Sequence, residues 1–206
     1  MPQIKDSLYE QLNPLTTVAG QHFVEDFSGD TLDTFRWYSG NSTGGTVAMS
    51  DSVNGGVILD TGGTQVRTEI NLQNIRPFDS QASACIWVGK TGQTTNTELL
   101  FGLADANGLA SSDVAFVDFN SGSSANWRLN ESFSETLDTS VAVDTNFHIF
   151  KLELGSSSVG LSIDGVLGAT SSAEINSDKL QPEVHLHDLS ATTNTASFTY
   201  CEAWNT

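Results

Sequence analysis

The sequence is poor in positive charge. It has 8 Lys and Arg residues against 25 Asp and Glu, which gives a formal net charge of −17. Proteins that bind nucleic acid or an anionic membrane surface do so through clustered cations, so we expect neither as a partner. Only 16% of the residues are charged, and this fraction is too low for a disordered acidic chain.

Long apolar runs are also missing. No stretch approaches the roughly 20 consecutive apolar residues that a transmembrane helix needs. The first twenty residues lack the positive start and apolar core of a signal peptide. We therefore expect a soluble chain whose signal peptide was removed or which leaves the cell by another route, such as virus assembly followed by lysis.

Cysteine is nearly absent, with one residue at Cys85 and one at Cys201. Both fall in predicted strands. Free cysteine is among the most buried residue types, which favours two buried thiols, and a disulfide between neighbouring strands is the alternative. A chain of this length buries roughly 70% of the surface that it exposes when unfolded, so its stability requires neither a disulfide nor a metal.

Short alternating apolar segments separated by Gly, Asn, Asp and Ser clusters are what the sequence has in abundance, and they are typical of an all-β protein. The predicted strands are 22–27, 46–50, 55–60, 65–72, 81–89, 97–104, 113–119, 125–130, 147–154, 158–163, 166–170, 182–189 and 196–204. Asp164-Gly165 and Asn107-Gly108 are typical of tight turns, since both residue pairs tolerate positive φ.

The alternation also predicts which strand faces are buried. In 147–154 the core face carries His148, Phe150, Leu152 and Leu154. In 182–189 one face carries Val184, Leu186 and Asp188, and the other carries Glu183, His185 and His187. Such half-buried strands indicate antiparallel sheets packed as a sandwich. We expect an N-terminal arm over 1–20 and one sandwich domain over 21–206.

Four passages carry a resemblance to a known superfamily. They are FVEDFSGDTLDTFRWY (23–38), TELLFGLAD (97–105), FHIFKLELGSSSVGLSIDGVLGAT (147–170) and SFTYCEAW (197–204). Their order resembles the concanavalin A-like lectin and glucanase superfamily, which includes laminin-G-like modules. The resemblance implies a two-sheet antiparallel jelly-roll β-sandwich. The superfamily contains lectins, hydrolases, lyases and virion proteins, so the fold alone does not specify a function.

Complete catalytic motifs are not found. The Glu-x-Asp-x-x-Glu strand of the jelly-roll glucanases is missing. Arg67-Thr68-Glu69 resembles part of the alginate lyase motif. That resemblance implies that Arg67 neutralises a uronate carboxylate, His185 or His187 acts as base and Tyr200 acts as acid. The other lyase strands have no counterpart, and the alternative is that Arg67 and Glu69 brace the sheet. The sequence leaves enzymatic activity open and favours a non-enzymatic protein.

Three kinds of binding residue remain as candidates. Trp127 is the tryptophan that we expect to be partly exposed and able to stack on a sugar, with a core position as the alternative. His185 and His187 share a face with Glu183 and could chelate a metal, although a structural site would need a fourth ligand. Three oxygen-bearing residues are weak calcium candidates, with ordinary turn chemistry as the alternative: Asp105, Asn107 and Asp118. No other cofactor is expected.

In its overall sequence character, the chain is most similar to jelly-roll domains on the particles of tailed viruses. We therefore predict a capsid decoration (cement) protein on the virion surface. It would bind the major capsid protein or other virion subunits as a homotrimer. A carbohydrate-binding, lectin-like module that contacts glycans is the first alternative, and an alginate-lyase-like polysaccharide lyase is the second.

Overall fold

The fold is taken from a computed structural model. It describes residues 21–41, 44–51, 55–63, 66–73, 75–105, 114–132, 135–172, 179–190 and 192–206. The predicted arm over 1–20 and the predicted Asn107-Gly108 turn lie outside these residues. Within them, no helix is long and apolar enough to cross a membrane.

Sixteen strands are assigned in the described part of the chain. In the first half they are β1 (His22–Glu25), β2 (Tyr38–Asn41), β3 (Thr46–Met49), β4 (Val57–Asp60), β5 (Arg67–Asn71), β6 (Phe78–Asp79), β7 (Ser83–Thr91) and β8 (Thr97–Ala104). In the second half they are β9 (Val114–Asn120), β10 (Asn126–Glu131), β11 (Glu135–Ala142), β12 (His148–Gly155), β13 (Ser158–Ile163), β14 (Val166–Ser171), β15 (Lys179–Asp188) and β16 (Thr195–Asn205).

These strands form two antiparallel sheets packed face to face. Sheet 1 has the order β14-β13-β12-β7-β16-β4-β3, with β1 added beside β16. Sheet 2 has the order β11-β10-β9-β8-β15-β5-β2, with β6 added beside β15. Sequence neighbours such as β15 and β16 lie in different sheets. The predicted jelly-roll β-sandwich is thereby confirmed.

The core lies between the sheets because each strand sends alternate side chains inwards. Phe150, Leu152 and Leu154 are buried there, as the alternation predicts. They pack with rings from both sheets, among them Trp87, Phe101, Trp127 and Phe198. Edge-to-face ring pairs of this kind each contribute about 0.5–1.5 kcal/mol beyond the area they bury.

Most predicted strands are present within one to three residues of their predicted ends. Three strands were missed: β2, β6 and β11. β6 has only two residues, and β2 (YSGN) lacks an apolar alternation. The Asp164-Gly165 turn is confirmed, since it joins β13 to β14 with φ of 52° and 80° at its two residues.

Cys85 and Cys201 are two free, fully buried thiols. They lie on the neighbouring strands β7 and β16, where Cys85 is opposite Ala203 and Cys201 is opposite Trp87. Burial raises the pKa of Cys85 to about 12 and raises that of Cys201. Of the two alternatives left open by the sequence, the structure has the buried thiols.

Candidate functional site

The outer face of sheet 2, which points away from the core, carries several buried polar side chains. On β15, Val184 and Leu186 face the core while Glu183, His185 and His187 face outwards, as predicted. The neighbouring strand β5 places Arg67, Glu69 and Asn71 on the same outer face, because they alternate with buried Thr68 and Ile70. The face is therefore unusually polar for a surface that is largely buried.

Four of these side chains form a square, which we call the Glu–His block: Glu69, Asn71, Glu183 and His185. The register places His185 opposite Glu69 and Glu183 opposite Asn71. Directly opposite residues in an antiparallel pair have Cβ atoms about 4.5–5.5 Å apart. Glu183 and Asn71 are fully buried, and His185 is nearly so.

His185 is held between two carboxylates. Its Nε2 bonds Glu183 Oε1, and its Nδ1 lies 3.3 Å from Glu69 Oε2. Burial lowers the pKa of His185, but the hydrogen bonds and charges of Glu183 and Glu69 outweigh burial and raise it to about 9. At neutral pH the imidazole is therefore protonated and donates from both nitrogens.

A shallow pocket of about 240 Å³ opens beside the block. It is lined by Tyr38, Gly40 and Asn41 of β2 and by Arg67 and Glu69 of β5. Gly40 keeps it open, because a Cβ at this position would lie 2.8 Å from Glu69 Oε1 and 2.9 Å from the Tyr38 ring. Tyr38 is 45% exposed. The pocket thus combines an accessible aromatic ring with a carboxylate and a guanidinium.

Further along the face, the polar side chains are bonded to one another. His187 Nδ1 lies 3.1 Å from Glu98 Oε2, and Asn120 donates to the other oxygen of Glu98. Arg128 donates to Asp118 Oδ2 at 2.8 Å. Burial raises the pKa of Asp118 despite the charge of Arg128. These groups brace β8, β9, β10 and β15 against one another.

The structure brings together only part of the predicted lyase constellation. Arg67 and His185 lie on adjacent strands of one face. Tyr200 is on β16 in sheet 1, where its hydroxyl donates to Glu202 at 2.7 Å, and its pKa is raised to about 12, first by burial and then by Glu202. His185, protonated and nearly inaccessible, is poorly suited to removing a proton from a sugar.

Trp127 is in the core rather than on the surface. It is 0% exposed and packs against Phe101, Phe119 and Phe150. The expectation of a partly exposed ring was wrong because Trp127 alternates with outward-facing Arg128 on β10 and therefore points between the sheets. It cannot stack on a sugar from this position.

The calcium candidates are not gathered at one place. Asn107 lies outside the described residues. Asp105 follows the end of β8, whereas Asp118 on β9 is opposite Leu100, five residues back along β8. At about 3.3 Å per residue the backbone positions of the two residues are roughly 16 Å apart along the strand. Asp118 is also bonded to Arg128 and Asn130.

Glycoside hydrolysis needs two carboxylates that flank the scissile bond. On the described outer face of sheet 2, Glu183 is fully buried and Asp118 is nearly buried and paired with Arg128. Glu69 lines the open pocket without a second accessible carboxylate beside it in the lining. Among the described residues, the pocket lining therefore offers one carboxylate where glycoside hydrolysis needs two.

Sequence reasoning missed most of the pocket. Tyr38, Gly40 and Asn41 belong to the unpredicted strand β2, which pairs with β5. Asn71 was also missed, since a single Asn in an apolar strand carries no signal of its own. The one usable clue was the Arg67-Thr68-Glu69 segment, whose outward-facing residues do line the pocket.

The outer face of sheet 1 has a different character. A groove of about 810 Å³ is lined by apolar and hydroxyl side chains, including Ile58, Val88, Phe147, Ser197 and Thr199. Lys90 Nζ lies 5.0 Å from the centroid of the Phe147 ring. Four large apolar side chains near this face are markedly exposed: Phe147, Ile149, Val166 and Leu167.

Comparisons with known proteins identify the fold through solved structures. No protein-family model matches the chain, and no curated protein matches it. The carbohydrate recognition domain of Emp47p superposes with a TM-score of 0.64 at 9% identity, covering 89% of this chain and 94% of that one. The β-glucanase of Bacillus licheniformis gives a TM-score of 0.65 at 12% identity, covering 93% and 100%.

A third similar structure is Rv0315 of Mycobacterium tuberculosis, described as an immunostimulatory antigen and pseudo β-1,3-glucanase. It gives a TM-score of 0.63 at 10% identity and covers 89% of this chain and 98% of that one. The structural neighbours are thus concanavalin A-like jelly-roll domains, both lectin-type and glucanase-type. At these identities the likeness establishes the fold, and the chain shares the concanavalin A-like jelly roll with them.

Proposed function

We propose that this protein binds carbohydrate without cleaving it, through the pocket formed by Tyr38, Gly40, Asn41, Arg67 and Glu69. The observation that carries the proposal is the exposed Tyr38 ring standing beside the Glu69 carboxylate on a floor kept open by Gly40. A sugar offers an apolar C–H face for the ring and hydroxyls for polar groups.

The polar groups around the pocket can hydrogen-bond the hydroxyl groups of a sugar. The Glu69 carboxylate accepts hydrogen bonds and the Arg67 guanidinium donates them. Glu69 is oriented from behind by His185, whose Nδ1 lies 3.3 Å from Glu69 Oε2. A carboxylate fixed in this way loses little conformational entropy when a ligand binds.

The ligand class is an uncharged glycan. The net charge of −17 disfavours an anionic polysaccharide, and Arg67 and Glu69 contribute opposite charges to the pocket lining. The structural neighbours include a carbohydrate recognition domain and a β-glucanase, which supports neutral sugars as the first probes. A uronate polymer is the ligand expected to bind least.

Substitution of the aromatic ring tests the proposal. Neutral polysaccharides and a panel of neutral oligosaccharides are titrated against the wild type and Tyr38→Ala by calorimetry and affinity electrophoresis. Removal of the ring should weaken binding at least tenfold, or about 1.4 kcal/mol. Tyr200→Ala is the matched control, because Tyr200 is a partly buried tyrosine on the opposite sheet.

Two outcomes would contradict carbohydrate binding at this pocket. One is the absence of binding to every neutral glycan at millimolar concentration. The other is equal binding by the wild type and Tyr38→Ala, which would place any sugar site elsewhere. The appearance of cleaved product would refute the non-catalytic part of the proposal.

As a second candidate we propose the virion role, with a capsid or other particle subunit as partner. It is supported by the exposed apolar side chains Phe147, Ile149, Val166 and Leu167 on the described part of sheet 1, since exposed apolar patches often mark protein interfaces. A homotrimer is expected in light scattering after size exclusion, and Ile149→Asp should dissociate it. A wild-type chain that stays monomeric at high concentration would count against the trimer.

A further inference from the structure

The Glu–His block combines three metal-ligating side chains in a small volume. One carboxylate oxygen from Glu69, one from Glu183 and one imidazole nitrogen of His185 lie within 4.8 Å of one another. Two ligands on opposite sides of a divalent ion at about 2.1–2.4 Å are separated by a similar distance. The three groups can therefore share one ion with small side-chain adjustments. The ion replaces the proton on the imidazole nitrogen that it binds, so metal binding releases one proton to solvent.

Asn71 supplies an independent observation. Its side chain is fully buried, and neither Oδ1 nor Nδ2 has a hydrogen-bond partner. A buried polar group left without a partner costs about 1–3 kcal/mol, and such groups are rare in native proteins. Asn71 lies directly opposite Glu183 and two residues after Glu69 on the same outer face. Its amide oxygen is therefore an unused ligand on the same face as the two carboxylates.

We propose that Glu69, Asn71, Glu183 and His185 bind one divalent transition-metal ion. Two carboxylate oxygens, one amide oxygen and one imidazole nitrogen form a mixed oxygen and nitrogen set. Imidazole favours transition metals over Ca²⁺ and Mg²⁺, and carboxylates suit Mn²⁺ and are also found on Zn²⁺. Mn²⁺ and Zn²⁺ are thus the expected ions, and Ca²⁺ should bind more weakly.

The surroundings of the block fit such a site. On one side lie the buried apolar residues Leu100, Val114 and Phe116 on the outer face of β8 and β9. The Phe116 ring is 6.2 Å from the His185 ring. An apolar shell limits solvent access and strengthens the attraction between an ion and its ligands. On the other side, Glu69 reaches the open pocket and provides a path for the ion.

The test measures ion binding by the full chain in the absence of any glycan, so its result does not depend on the proposed carbohydrate binding. Protein treated with EDTA and desalted is titrated with MnCl₂, ZnCl₂ and CaCl₂ by calorimetry, and the bound metal is counted by elemental analysis. We expect one Mn²⁺ or Zn²⁺ per chain, an affinity for Ca²⁺ at least tenfold lower, and a higher melting temperature with metal.

Two variants locate the ion. Asn71→Ala and Glu183→Gln should each weaken metal binding at least tenfold. Asn71→Ala should leave the metal-free protein as stable as the wild type or more stable, because it removes a buried amide without partners. It therefore decides the question even if Glu183→Gln does not fold.

His148→Gln is the matched control. His148 is also held between two carboxylates, but it lies on β12 in sheet 1. Its substitution should leave metal binding unchanged.

Three results would overturn the proposal: no stoichiometric Mn²⁺ or Zn²⁺ on the wild type, wild-type affinity in Asn71→Ala, or loss of the ion in His148→Gln alone. The first would mean that the protonated His185 imidazole, and not a metal ion, supplies the positive charge between Glu69 and Glu183. Tyr38→Ala should bind metal normally, so that loss of glycan binding and loss of metal binding can be told apart.

Discussion

Two histidines of this protein have the same kind of partners in opposite surroundings. His185 lies between Glu69 and Glu183 on sheet 2, and His148 lies between Asp144 and Asp164 beside sheet 1. Glu183 is fully buried, whereas the Asp144 and Asp164 side chains are 47% and 51% exposed. Comparing the two clusters shows how solvent exposure changes the contribution of a histidine to stability when its carboxylate partners are of the same kind.

Solvent access changes what each cluster contributes. His148 Nδ1 lies 2.6 Å from Asp164, and its Nε2 lies 3.0 Å from Asp144. Asp164 also accepts a hydrogen bond from the backbone N–H of Ile149, which ties the cluster to the β13–β14 turn. Water can replace these carboxylates as partners, so exposed ion pairs contribute little to stability. In the Glu–His block His185 and Glu183 are shielded from water, so loss of either one leaves the other as a buried charge without its counter-charge.

Removal of each imidazole should give the largest difference between the clusters. His185→Ala should lower the free energy of unfolding by about 3–5 kcal/mol, because it leaves buried Glu183 without its cation. His148→Ala should cost no more than about 1 kcal/mol. Urea denaturation of both variants in EDTA measures the difference, and equal losses would show that burial does not separate the clusters.

The pH dependence of stability should show the second-largest difference between the two clusters. The pKa of His148 is raised above 6.5, because hydrogen bonds to Asp164 and Asp144 outweigh the opposing effect of burial. Because the pKa of His148 is raised in the folded state, the stabilisation that its protonated form provides is complete below about pH 6.5. It is lost as the pH rises through the pKa of the folded state. His185, at about 9, should keep its contribution to higher pH than His148.

The aspartates of the exposed cluster affect the pH dependence of stability at acidic pH. The pKa of Asp144 is lowered, mainly by the backbone N–H of Asn146, and that of Asp164 is lowered because hydrogen bonds from His148 and Ile149 outweigh burial. Their contribution is complete above about 4 and is lost as pH falls through the folded values. NMR titration of the imidazoles and unfolding at pH 3–10 test these directions. A lower pKa for His185 than for His148 would contradict them.

Salt should produce the smallest difference. At 1 M salt the Debye length is about 3 Å, which screens exposed charges far more than buried ones. The imidazole pKa of His148 should therefore move back towards 6.5 in 1 M NaCl, while that of His185 should stay nearly unchanged. The same NMR titration measures both, and an equal shift would show that water reaches the Glu–His block.

The sequence predicted the sandwich better than the site. Strands such as β12 and β15 were predictable because a period-two pattern of apolar residues reports directly on burial. The pairing of β5 with β2 and β15 was not, since strands distant in sequence pair through the tertiary fold. Tyr38, Asn71 and Glu183 therefore came together only in the structure, and the burial of Trp127 followed from the register of β10.

The two core thiols have a practical consequence. Cys85 and Cys201 are inaccessible, and burial keeps both protonated, so a thiol reagent can modify them only when β7 and β16 separate or the chain unfolds. With a reagent that reacts faster than the strands reclose, their labelling rate under native conditions equals the opening rate of the sandwich. The unaltered chain thus carries its own probe of core opening, which can be read with and without metal or glycan.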